Sequence, residues 1–351
     1  MEKTRRYGAE SLAAFSNRCL EQMGVPSDNA RTVTDCLLYA DRRGHASHGI
    51  VRLPVYGRRV VAGVVNARAR ASATKVLPGI AVVDGDNALG PVAGAFAMQR
   101  SVEIAREDGF AIVTVKRSNH FGSAAFYNEI ALEHGYIGVA ASNAPPNMAP
   151  FGGKDRFLGT NPLSVAIPTE AREPILFDMA SSVVARGKII LAAQQGKPIP
   201  EGWALDPNGN PTTDAHQGLL GPVLPFGGAK GSAISLLIDI LAGVLSGASY
   251  GRHLNTLEDL TSVQNLGHFF LVIDPERFMG RSEFLRRMDD LIDQLKATPT
   301  APGFHEILAP GEIERRTVRE IDALGIPVAE DVVRQLRELG ESLGVDCDFC
   351  S

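Results

Sequence analysis

Cysteine is scarce in this chain, with Cys19, Cys36, Cys347 and Cys350 the only four among 351 residues. So few thiols cannot staple a disulfide framework, and they point to a reducing compartment. Cys347 and Cys350 have the spacing of a redox or half-zinc motif, yet no second pair completes four ligands, so this tail reads as incidental. Basic runs are also missing, and the formal net charge is -5, so neither nucleic acid nor a membrane surface is an expected partner. No apolar run reaches the roughly 20 residues that span a bilayer. The longest, Ala233 to Leu245, is interrupted by Ser235, Asp239 and Gly243 and is expected to form a buried helix. The first residues carry charges and no apolar signal core, so a cytoplasmic protein is expected. The Rossmann glycine fingerprint is absent too. Gly85, Gly90 and Gly94 have the wrong spacing, and Gly227-Gly228-Ala229-Lys230-Gly231 fits neither that fingerprint nor a P-loop.

What is present is a chain 44% hydrophobic and 21% charged, which can bury a sizeable core. The first 75 residues read as helices: Leu12, Phe15, Cys19 and Met23 recur at helical steps, as do Val33, Cys36, Leu37 and Ala40 after a Pro26-Ser27 start signal. Short β-branched runs then follow at Ile80–Val83, Ala111–Val115, Ile137–Ala141, Leu163–Ile167, Ile175–Phe177 and Phe269–Ile273, and these are expected to pair in one sheet. Helical stretches at Val92–Glu107, Ala124–His134 and Glu283–Lys296 make this an α/β layer architecture. The stretch from Val183 to Gly251 reads as helical, with a turn-rich interior from Pro198 to Pro225 that wraps over the surface or a ligand. A last helix is expected over Ala329–Leu343.

Three clusters could carry chemistry. In Gly44-His45-Ala46-Ser47-His48-Gly49-Ile50-Val51-Arg52, followed by Tyr56, a continuous helix would align His48, Arg52 and Tyr56 on one face. Arg52 can grip a carboxylate through two parallel N–H bonds, and His48 can exchange a proton near neutral pH. The bland reading of this stripe is a solvated helix face. His45 and His48 could hold a metal, but further ligands at useful spacing are lacking, and no metal is expected. Ser118-Asn119-His120-Phe121-Gly122 ends a strand, where a rigid sheet can hold a catalytic loop, and His120 is the preferred acid–base over a merely satisfied loop histidine. Small-residue loops at Asn143, at Leu158–Asn161 and at Phe177–Ser182 follow three further strands, and the glycine turn with Lys230 precedes an apolar helix, a recipe for anion binding at a helix N-terminus.

Six motifs in order, Asp41–Pro54, Ser118–Gly122, Leu158–Leu163, Phe177–Ser182, Gly227–Gly231 and Pro310–Glu312, resemble the non-Rossmann malate/L-lactate dehydrogenase family nearly end to end. That family also includes ureidoglycolate, sulfolactate, diketogulonate and cyclic imino-acid enzymes. The resemblance implies a non-Rossmann α/β fold with a mixed, largely antiparallel sheet domain (78–182 and 263–308) and a discontinuous helical domain (1–77, 183–262 and 309–351). It implies a homodimer that binds NAD or NADP and acts on a small-molecule carboxylate. It places Ser47 and His48 at the substrate, Arg52 and Tyr56 on its carboxylate, and His120 as proton donor or acceptor. The cofactor would touch Asn143, Phe177, Asp178, Met179, Ala180, Ser181, Ser182, Ala229, Lys230, Gly311 and Glu312. The family often carries an acidic residue where this chain has Ala46, which bears on substrate choice.

The expected reaction is therefore hydride transfer between nicotinamide and a 2-oxo or 2-hydroxy carboxylate. Reduction of a cyclic imino acid would use the same groups. The rival from another class is a metal-dependent hydrolase or lyase built on His45 and His48. Arg186, Lys188 and Lys230 could each meet the 2′-phosphate of NADP or be surface charges.

Overall fold

A computed structural model describes residues 4–350. Strand β1 (Thr4–Tyr7) is followed by helices α1 (Ala9–Gln22) and α2 (Ser27–Arg42), two 3-10 turns (Ala46–His48 and Ile50–Arg52) and α3 (Leu53–Val61). Next come β2 (Ser72–Leu77), β3 (Ile80–Asp84), α4 (Gly90–Asp108), β4 (Phe110–Ser118), α5 (Ala125–Glu133), β5 (Ile137–Ser142), β6 (Pro162–Ile167) and β7 (Ile175–Ala180). The chain continues through α6 (Arg186–Gln194), the hairpin β8 (Ala204–Leu205) and β9 (Pro211–Thr212), α7 (Ala215–Leu220), and α8 (Ala229–Ile238), which runs into a π-helical turn at Asp239–Val244. It closes with β10 (Leu266–Ile273), α9 (Glu276–Met279), α10 (Arg281–Lys296), α11 (Glu312–Leu324), β11 (Ile326–Ala329) and α12 (Glu330–Leu343).

All six expected strand runs pair in one sheet of order β2-β3-β4-β10-β5-β6-β7. Only β3 and β4 are parallel, joined by α4 as a crossover, so the sheet is mixed and largely antiparallel. Pro91 in the first turn of α4 and Gly109 in the left-handed region just past its end are the residues that start and stop a helix at lowest cost. Val83, Val113, Val115 and Phe270 of the sheet bury against Ala97, Met98 and Val102 of α4. A second core joins Leu12, Phe15, Leu37, Leu53 and Tyr56 to Ile326, Val333 and Leu336, so both ends of the chain share it, and β1 pairs with β11 beside it. Residues Val184, Ile189, Ile199 and Val223 pack on Met148 and Leu158 as a separate small core.

Four expectations change. The first 75 residues are not wholly helical, since β1 and the start of β2 lie there; both expose most of their side chains, so no apolar alternation marks them. No continuous helix carries His48, Arg52 and Tyr56. The chain breaks at Gly49, where an added Cβ would meet Asp41 Oδ1 at 1.8 Å, while Asp41 Oδ2 accepts the Ile50 N–H at 2.7 Å. The carboxylate occupies the space of a side chain and terminates the turn, so two short 3-10 turns replace a helix. Ala233 to Leu245 is not buried all round: Leu236, Leu237, Ile240, Val244 and Leu245 are exposed, Leu245 by 60%. The turn-rich stretch from Pro198 contains the β8–β9 hairpin and α7. Cys347 is half-buried, whereas the Cys350 side chain lies outside the described residues.

Candidate active site

The 3-10 turns and the strand-end loop bring the first two clusters together. His48 and His120 stack with ring centroids 5.7 Å apart and planes 25° apart. The Tyr56 hydroxyl lies 2.7 Å from His120 Nδ1, so α3 ties that ring nitrogen and leaves Nε2 to exchange a proton. Ser47 Oγ lies 2.9 Å from His48 Nδ1, and the main-chain oxygen of Ser47 accepts from Arg52 Nε at 2.7 Å. That bond folds the guanidinium back over the two turns. Its charge then acts on both rings. Burial first, and the Arg52 cation second, lower the His48 pKa to about 4 and hold His120 well below the usual imidazole range. Burial raises the Tyr56 phenol above its usual value, so it stays a donor at neutral pH. Asp41, which organises the turns, is itself pushed up to about 7 by burial, partly opposed by the Ile50 N–H.

The loop bearing His120 is held from several sides. Gln264 Oε1 accepts the His120 N–H at 3.0 Å, and Asn119 Nδ2 donates to Ala88 O at 2.8 Å. Behind it, Phe121 stacks on His268 at 4.5 Å. His268 is fully buried between Ser142 and Ser118. Ser142 gives its proton to main-chain oxygens of Asn143 and Gly267, so it accepts from His268 Nδ1–H, and Ser118 donates to Nε2. That pairing suits only the neutral ring, in keeping with a pKa lowered by burial to about 3.

The expected cofactor segments converge on β7. The loop at its end is tied to the glycine turn by Phe226 N–H to Ser181 O at 3.1 Å. Pro310 O accepts the Leu176 N–H at 3.1 Å, which docks Gly311 and Glu312 beside the same strand, and Glu312 is clamped by Lys296 at 2.7 Å. Gly311 adopts φ +98, and a Cβ there would meet Leu176 O at 2.8 Å, so glycine is required for this approach. Asp178 faces inward, accepting from Ser123 Oγ at 2.8 Å and the Ala125 N–H at 3.0 Å, and so couples β7 to the His120 loop. Lys230 is exposed in the first turn of α8. Asn143 stands apart: its carboxamide is spent on Asp239, Ser249 and Gly267. Arg186 is committed to Asn147 and Leu219. Among the described residues no three His, Cys, Asp or Glu side chains are placed to hold a metal.

The malate/L-lactate dehydrogenase family pattern matches residues 7–337. The chain belongs to this family. Malate dehydrogenase from Pyrococcus horikoshii is 38% identical over 349 residues, 97% of this chain and 96% of that protein. The structure of sulfolactate dehydrogenase from Methanocaldococcus jannaschii superposes with a TM-score of 0.94 at 37% identity, covering 99% of this chain and 100% of that one. Family relatives also carry cofactor names: ureidoglycolate dehydrogenase (NAD(+)) of Escherichia coli is 35% identical, covering 94% of this chain and 95% of that protein. Its NADP(+) counterpart by name, (2R)-3-sulfolactate dehydrogenase of Chromohalobacter salexigens, is 39% identical, covering 77% and 80%. A delta1-piperideine-2-carboxylate reductase from Pseudomonas syringae shares the fold with a TM-score of 0.85 at 29% identity, covering 96% and 100%.

In this family member, four groups around the histidines escaped the reading of the sequence: Asp41 as organiser of the turns, and Arg59, Gln264 and His268 behind or beside His120. Of these, His268 carries a sequence signal, a polar residue within the apolar run Leu266-Gly267-His268-Phe269-Phe270. No helix of the described residues is long and apolar enough to cross a membrane.

Proposed function

We propose that the protein interconverts a small 2-oxo acid and its 2-hydroxy acid as an NAD(P)-dependent dehydrogenase, with Arg52 holding the carboxylate and His120 exchanging the proton. The observation that carries this reading is the convergence of one guanidinium and two neutral imidazoles, one of them oriented by Tyr56. A substrate carboxylate at Arg52 offsets the cation that depresses both imidazoles, so binding raises their affinity for a proton just where the oxygen needs one. His48, with Ser47 on its outer side, faces the substrate and helps place it. The residues along β7 fit a dinucleotide: the Ser181 hydroxyl is buried with no hydrogen-bond partner, and α8 offers a helix N-terminus with Lys230 for a phosphate. The loop from Phe177 to Ser182, Ala229, Lys230, Gly311 and Glu312 would hold the cofactor. Nicotinamide, when bound, supplies or accepts the hydride.

The test is absorbance at 340 nm, roughly the reduced nicotinamide band, with NADH or NADPH and a panel of 2-oxo acids and cyclic imines. Oxidation of one cofactor, lost in Arg52→Ala, supports the reading; no turnover with any panel member overturns it. The imine reading is kept because one structural neighbour carries that name and the same arginine and histidines would serve a carboxylate beside C=N. The hydrolase or lyase alternative finds no support in the relatives' names.

We also infer a homodimer. The apolar face of Leu237, Ile240 and Val244, at helical spacing, is left to solvent by the single chain, the signature of a surface covered by another copy. Leu237→Asp should then sediment as a monomer; a wild-type monomer would refute the dimer. The shared core of the two chain ends supports a discontinuous helical unit spanning 1–77 and 309–351, whereas Val184, Ile189 and Val223 of the expected third piece, 183–262, pack on Met148 and Leu158 of the sheet unit. The buried free thiols of Cys19 and Cys36 agree with a cytoplasmic location.

A further inference from the structure

Arg59 lies on α3, one turn beyond Tyr56, and is 1% exposed. A buried arginine is normally neutralised by a carboxylate, because an unpaired charge is costly to desolvate. Here the guanidinium is spent on carbonyls. Nη1 donates to the main-chain oxygens of Asp259 and, at 3.4 Å, Leu257. Nη2 donates to Ser262 O at 3.2 Å and to Asn119 Oδ1 at 3.4 Å. Burial lowers its pKa, opposed by the more distant charges of Asp259 and Glu258.

These contacts select one loop. The segment 254–265 links a 3-10 turn at Gly251–His253 to β10 and contains almost no regular structure. Its Leu257 is inserted into the helical core, and its Asp259 caps its own turn by accepting from Thr261 N–H at 2.8 Å. Its far end carries Gln264, whose Oε1 accepts the His120 N–H, while Nε2 donates back to Asn255 O at 3.3 Å. One helix therefore holds two consecutive residues of the His120 loop, Tyr56 on His120 and Arg59 on Asn119, and Arg59 also fastens the segment that supports His120 from the other side.

We propose that Arg59 is a positioning residue, a latch that closes the 254–265 loop on the Asn119–His120 strip and thereby sets where His120 presents its free nitrogen. The inference rests on the proposed role of His120, but the latch itself can be tested without it. Arg59→Met keeps the stem and deletes the donors. Amide hydrogen exchange should then rise about ten-fold or more across 257–264 in the full-length protein. The turnover number should fall about 10- to 100-fold, with a smaller change in KM and with NAD(P)H binding, read by fluorescence, retained. Gln264→Leu should lower kcat, and Gln264→Glu, which keeps the acceptor for His120 N–H, should recover much of it; this pair decides the matter if Arg59→Met does not fold. Unchanged exchange in Arg59→Met, or Gln264→Leu with wild-type kcat, overturns the latch. If the wild-type protein reduces no 2-oxo acid or imine, the functional reading fails and exchange alone judges the latch.

Discussion

The two histidines meet face to face, yet they are held in opposite ways. His48 rides on a pair of 3-10 turns fixed from behind by a single buried carboxylate, Asp41, with exposed Ser47 as its side-chain neighbour. His120 is gripped at its ring by Tyr56, at its main-chain N–H by Gln264, and through Phe121 by the buried His268. A group that must deliver a proton along a fixed line needs the second kind of support, because small misplacements cost rate steeply. A group that fits a variable substrate is better served by the first. The family's spread of substrate names is compatible with such a division between a rigid and an adjustable half.

The comparison breaks most visibly in the histidines themselves. His120→Ala should lower kcat/KM by about 10²- to 10⁴-fold, the usual worth of a general acid–base, and His48→Ala by clearly less; steady-state kinetics giving the reverse order would assign the proton to His48. Arg52→Lys sharpens it next. A lysine loses the forked geometry, so KM for the carboxylate should rise roughly ten-fold or more while kcat moves less. The smallest effect is expected from Asp41→Asn, which keeps an acceptor for the Ile50 N–H. Folded Asp41 holds its proton to about pH 7, whereas the unfolded residue releases it near 3.8, so its contribution to stability is present in acid and is lost as pH rises between those values. The variant lacks that loss. Its stability relative to wild type should therefore improve from pH 5 to pH 8 by at most about 1.4 kcal/mol per pH unit; a gap that does not change with pH in denaturant melts would remove Asp41 as the titrating group.

How much of this was legible in the sequence depends on whether the determinant was local. Strands β3, β4, β5, β6, β7 and β10 announce themselves by β-branched runs because each buries side chains in the sheet. Edge strand β2 does not, because Ser72-Ala73-Thr74-Lys75 is mostly exposed. The motif residues His48, Arg52, Tyr56 and His120 were readable, and the family resemblance implied that they share one site. The break at Gly49 was not, since it depends on a carboxylate eight residues upstream whose approach only the fold creates. Arg59 was hidden for the same reason: within Leu53-Pro54-Val55-Tyr56-Gly57-Arg58-Arg59 nothing separates exposed Arg58 from buried Arg59 until the 254–265 loop is laid over it.

The middle of the sheet is filled by a late arrival. β10 pairs with β4 on one side and β5 on the other, so during synthesis both of those strands wait with open edges until residues 266–273 leave the ribosome. Neither half of the sheet can close around its centre before about three-quarters of the polypeptide exists, and β1 waits longer still for β11. Nascent chains halted before β10 should thus be the species most prone to stick to one another or to recruit chaperones, making this single central strand a timing device for assembly as well as a structural element.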